Sequence, residues 1–92
     1  MKLLAFTIRD DKSEHFMQPF FCSALGQASR QFGDSVLKEG SLIHDHPEDF
    51  GLYHTGYFDS ETGKMIPNEQ VNLIARGPDF LPAQHLKEVK KN

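Results

Sequence analysis

Hydrophobic and polar positions alternate from the first residues of the chain. Leu4, Phe6 and Ile8 fall on one side of an extended segment, and Leu3, Ala5, Thr7 and Arg9 on the other, which predicts a strand over residues 2–9. Asp10, Asp11, Lys12, Ser13 and Glu14 interrupt the pattern and read as a solvated loop. Residues 16–22, FMQPFFC, are β-prone but contain Pro19, which has no N–H to give to a ladder. They are expected as a short edge strand or an extended segment.

A change of period follows. Leu25, Ala28, Ser29, Phe32 and Val36 recur at helical spacing, while Gln27, Arg30, Gln31, Asp34 and Lys38 fill the opposite side. Ser23 is the candidate N-cap and Gly40 the closing residue. Gly33 lies inside this helix at a cost of up to about 1 kcal/mol against alanine, so close packing is expected there. Residues 41–49 form a loop, with Pro47 starting a single helical turn.

Residues 50–67, FGLYHTGYFDSETGKMIP, read as a β-hairpin turning through Asp59, Ser60, Glu61, Thr62 and Gly63. Strict alternation puts Leu52, His54, Gly56 and Phe58 on one face and Tyr53, Thr55 and Tyr57 on the other. Lys64, Met65 and Ile66 begin the return strand, and residues 71–76 give a further strand. The sum is an α+β domain over residues 1–76. It has a small, mostly antiparallel sheet of three to five strands and one amphipathic helix packed on one face. A Pro-containing tail, residues 77–92, follows and includes a possible short helix. The second sheet face has no cover unless a ligand or another copy supplies it.

Composition narrows the function. The chain has 92 residues, enough for one domain and one core. One cysteine, Cys22, excludes an internal disulfide framework and fits a reducing compartment, where a buried small hydrophobe is its expected role. No apolar run approaches the roughly 20 residues of a membrane span, and no signal peptide is evident, so a cytosolic, soluble protein is expected. Ten basic residues against thirteen acidic ones give a net charge of −3. That argues against coating nucleic acid by bulk charge and leaves a local groove open.

Candidate chemistry is sparse. His44, His46 and His54 lie close together in sequence but form no regular zinc signature, and no phosphate-cradling glycine loop occurs. Neither a catalytic residue, a metal nor a cofactor is expected, and a metal-dependent nuclease built on those histidines is the least favoured reading. The aromatic residues carry more. Four of the ten, Phe50, Tyr53, Tyr57 and Phe58, fall in the hairpin region. With Phe20 and Phe21 in reserve, Tyr53 and Tyr57 are candidates for stacking unpaired bases, and Arg9, Arg30, Lys64 and Arg76 for reaching phosphates.

Four fragments, FTIRD, MQPFF, GQASRQFGDSV and HPEDFGLYHTGYFDSETGKMIP, resemble the small non-structural protein of gokushovirus-type bacteriophages, Microviridae. The likeness runs over about residues 6–67, and HPEDFxLYHxGxFDxxTGxxxP is its most specific part. These are single-stranded DNA phages, and their protein is described as DNA-binding. The resemblance implies a role in viral genome replication in the cytoplasm of the infected bacterial host. It transfers no catalytic residue. The leading expectation is a non-enzymatic accessory protein that binds single-stranded DNA as a homodimer or larger oligomer. The rival is a protein–protein regulator of host or viral replication machinery without nucleic-acid affinity.

Overall fold

A sheet keeps one face dry only if something covers it, and here the cover is one helix. The computed structural model describes residues 1–82. Its elements are β1 (Lys2–Asp10), β2 (His15–Phe16), β3 (Phe20–Cys22), α1 (Leu25–Leu37), the single-turn α2 (Leu42–Asp45), β4 (Phe50–Asp59) and β5 (Lys64–Arg76). Short 3-10 turns lie at Pro47–Asp49 and Gly77–Phe80. The sheet order is β2–β1–β4–β5, and β3 also pairs with β1. Every pairing is antiparallel. This is the expected α+β class, with its helix on one sheet face.

The edge beside β1 is split where proline forbids pairing. β2 pairs through Arg9↔Phe16 and β3 through Phe6↔Phe20, with Pro19 between them. Two bonds hold the intervening segment against β1: the Met17 N–H donates to the Ile8 carbonyl at 2.7 Å, and the Thr7 hydroxyl donates to the Met17 carbonyl at 2.7 Å.

The helix turns its apolar stripe inward. Ala28, Phe32, Gly33 and Val36 are buried, while Leu25 at its start is 45% exposed. Ala24, rather than Ser23, occupies the N-cap, because the Ser23 hydroxyl donates instead to the Gln27 side-chain oxygen at 2.9 Å. Helical geometry stops at Leu37, before Gly40, which takes φ 90° in the following turn. Phe6, Cys22, Phe32, Val36, Phe50 and Leu52 form the centre of the core, flanked by Leu4, Ile8, Phe20, Ile74 and Phe80. Cys22 is therefore a buried hydrophobe, as its surroundings in sequence suggest.

Gly33 is the point of closest helix packing. A Cβ there would lie 2.7 Å from the Phe80 ring, which meets Phe32 edge-on at 5.6 Å. Residues 77–81, assigned from the sequence to the tail, thus include a ring, Phe80, that packs on α1. The possible tail helix lies outside the described residues.

β5 is one continuous strand, not the two separate pieces that the polar interruption at Asn68, Glu69 and Gln70 suggests. His54 pairs with Asn72 and Gly56 with Pro67, so residues 68–71 bulge out opposite Thr55 alone. The Asn68 side-chain amide bridges the bulge, reaching the His54 ring nitrogen Nδ1 at 3.1 Å and the His54 carbonyl at 3.3 Å.

A second bulge sets the faces of β4. Ala5 pairs with Gly56 and Phe6 with His54, leaving Thr55 without a partner of its own on β1. Alternation breaks there. Leu52 and His54 lie on the helix side with Ile8 and Phe6. Beyond the bulge Tyr57, opposite Leu4, takes that side and packs edge-on against His54 at 5.0 Å. Gly56 and Phe58 move to the open side. The strict alternation read from the sequence is therefore corrected: Tyr53 and Tyr57 do not share a face.

Candidate functional site

The open face is built from β1, β4, the edge strands and β5. Ala5, opposite Gly56, supplies a floor of small residues that is fully buried beneath its neighbours. Rings stand at either end. Phe16 meets Tyr53 edge-on at 5.4 Å, and Phe21 meets Phe58 at 5.7 Å with an interplanar angle of 54°. Between them runs an apolar trough of about 350 Å³ lined by Thr7, Phe16, Met17, Pro19, Thr55, Met65 and Val71. Nothing among the described residues covers it. Phe16, Met17 and Phe21 are each exposed by more than two-fifths, as are Met65, Val71 and Leu73.

One end of this face is charged. Arg9 lies over the Phe16 ring, its guanidinium carbon 5.3 Å from the ring centroid. Its Nε donates to Asp11 Oδ1 at 3.1 Å. Arg76 Nη2 donates to the other oxygen, Asp11 Oδ2, at 2.8 Å, and to the Glu48 carbonyl at 2.8 Å. The hydrogen bond from Arg76 is the main influence holding the Asp11 carboxyl below its ordinary range. Lost hydration opposes it, and the charges of both arginines add to the lowering. Gly51, paired with Arg9 on one side and Arg76 on the other, permits this crossing. A Cβ at Gly51 would stand 2.8 Å from Arg76 Nη1.

The six residues singled out from the sequence divide. Tyr53, Arg9 and Arg76 come together at this charged end. Tyr57 lies on the helix side. Arg30 lines a hollow on α1 with Gly26, Gln27 and Gln31, and Lys64 stands at the far end of the hairpin opposite Asp59. Phe20, held in reserve, stacks on Phe6 at 5.9 Å in the core. Sequence reasoning missed Phe16, Met17 and Met65. The available signal was the edge position of FMQPFF, because an edge segment broken by proline leaves its outward rings without neighbours.

The three clustered histidines do not converge. His44 Nδ1 lies 2.8 Å from the Val36 carbonyl, and His54 is buried against Phe6 and Tyr57. His54 Nε2 has no hydrogen-bond partner among the described residues. His46 instead gathers with Glu48 and Asp49, whose ligand-capable atoms all lie within 4.8 Å of one another at the surface. No described helix is long and apolar enough to cross a membrane.

Fold and face together define a small α+β protein with one sheet side packed on a helix and the other left open by the described residues, ring-bearing and edged by arginine. The chain belongs to the Phage ORF5 protein family, whose profile matches residues 3–80. It is similar to Protein ORF5 of Chlamydia phage 1, with 30% identity over 94 residues, covering 96% of this chain and 98% of that protein. No solved structure is a significant match. The resemblance to the small protein of Microviridae phages is borne out.

Proposed function

We propose that this phage protein binds single-stranded DNA on its open sheet face, as a non-enzymatic accessory of genome replication in the cytoplasm of the infected cell. The carrying observation is the juxtaposition of rings, trough and arginines. Phe16 belongs at once to the trough, to the Tyr53 pair and to the Arg9 contact. Bases offer π-faces to such rings, and each stacked base contributes about 1–3 kcal/mol. Phosphates flanking a base on Phe16 fall within the compass of Arg9 and Arg76. Oligomers would repeat this modest site and raise its affinity through effective concentration.

Titrating labelled oligothymidine while following fluorescence anisotropy tests the reading. Two phosphate contacts should give a slope of log affinity against log salt of about −1.4. Phe16→Ala and Phe21→Ala should each weaken binding while the fold persists. Flat titrations at both low and moderate salt would remove the DNA reading.

A second reading has its own support, since Met17, Met65, Val71 and Leu73 make the same face apolar enough for a protein partner. A regulator of replication machinery acting through that contact would bind its partner with little response to salt.

A further inference from the structure

We propose that Arg9 and Arg76 form a two-guanidinium anion site at the end of the open face, and that the Asp11 carboxylate occupies it as an internal stand-in for a phosphodiester. This rests on the single-stranded DNA reading and adds to it the place of the phosphate and the group that competes for it.

The geometry favours a site over a simple clip. Each Asp11 oxygen serves a different arginine, Oδ1 taking Arg9 Nε and Oδ2 taking Arg76 Nη2. Two non-bridging phosphate oxygens would present the same pair of acceptors. Asp11 is the one carboxylate bonded to these two guanidinium groups among the described residues, since Asp79 accepts from the Arg76 backbone N–H at 2.8 Å instead.

Each arginine also has an anchor besides Asp11. Arg76 is held by the Glu48 carbonyl and passes close over Gly51, while Arg9 rests on the Phe16 ring. Removing the carboxylate therefore leaves both guanidinium groups in place. Asp11 itself begins the exposed connection after β1, with its side chain 43% exposed. Its backbone is fixed by an N–H bond to the Asp49 carbonyl at 2.9 Å, so the side chain can turn away without moving the strand. The position is useful because Phe16 lies under Arg9. A nucleotide whose base stacks on that ring puts its phosphate at the cluster, where it displaces one exposed carboxylate. Wild-type affinity is then set by exchange of one anion for another.

The test compares wild type with Asp11→Asn, which keeps size and removes charge, and with Asp11→Ser as a second variant should the first fail to fold. Labelled oligothymidine is titrated into each at several salt concentrations, with thermal melting to confirm folding. The variants should bind roughly three- to tenfold more tightly, the ratio expected from releasing two exposed ion pairs. Unchanged or weaker binding by a folded variant overturns the proposal and leaves the DNA reading standing.

A second arm adds inorganic pyrophosphate to the variants and follows the Arg9 and Arg76 Nε–H resonances by NMR. Saturable shifts without any oligothymidine binding would support an anion site while refuting the DNA reading. Absence of shifts in a folded variant would count against the site.

Discussion

Gly77→Ala should be among the most damaging single-methyl changes in this chain. A Cβ at position 77 would lie 2.0 Å from the Pro47 carbonyl oxygen, 2.7 Å from its carbonyl carbon and 2.9 Å from its Cα. All three are backbone atoms, so no side-chain rotation relieves the clash. Relief requires the 77–80 turn and the 47–49 turn to separate by about 1.4 Å, the shortfall from an ordinary non-bonded contact of about 3.4 Å. That movement strains the Arg76 bond to the Glu48 carbonyl and lifts Phe80 from Phe32 and Gly33. Overpacking costs about 1–3 kcal/mol and a weakened hydrogen bond about 0.5–1.5 kcal/mol more, giving roughly 3 kcal/mol. At about 4–8 °C per kcal/mol for a domain of this size, the midpoint should fall by about 12–24 °C. Thermal unfolding followed by circular dichroism reads this directly. Gly26→Ala is the control: nothing lies within 4 Å of its Cβ, and helix propensity should raise the midpoint slightly. A Gly77→Ala protein melting within about 2 °C of wild type would refute the close-approach reasoning.

Tyr53→Ala should weaken oligothymidine binding with little loss of stability. Tyr57→Ala should instead cost about 1–2 kcal/mol of stability by uncovering His54, with oligothymidine affinity of the folded protein unchanged; loss of affinity in both variants alike would contradict the assignment of faces. The pH dependence of stability has a definite sign. Asp59 is held below its ordinary value of 3.8 chiefly by the Glu61 N–H, with Thr62 assisting against lost hydration. A depressed carboxylate contributes stability that is present above the unfolded value and lost as pH falls through the folded one. The midpoint difference between wild type and Asp59→Asn should therefore shrink as pH falls from about 5 to about 2, and a constant difference would sink the linkage.

Local pattern made much of this fold legible. The stripe of Ala28, Phe32 and Val36 marked the helix. The turn ending at Gly63 marked the hairpin, where Gly63 takes φ 74° and the Asp59 carboxylate accepts the Glu61 N–H at 2.9 Å. The uncovered face followed from counting one helix against two sheet sides. What stayed hidden depended on register. Alternation fixes facing only within an uninterrupted ladder, and the unpaired Thr55 shifts every later side chain of β4 by one step. Tyr57 was misplaced for that reason alone. The Asp11–Arg76 pair spans 65 positions, and the meeting of Phe16 with Tyr53 depends on β2 pairing beside β1; no local spacing encodes either.

The shape of β5 bears on how the protein avoids unwanted growth of its sheet. Among the described residues β5 pairs with β4 on one side only, so its other side offers free amides and carbonyls along 13 residues. A long straight border of that kind recruits further strands and seeds aggregation. Pro67 removes one donor, and the outward excursion of residues 68–71 divides what remains into two short, misaligned stretches. An incoming strand in register with one stretch is out of register with the other. Trimming that excursion to a plain ladder would tidy the hairpin and, by the same stroke, create a continuous adhesive border.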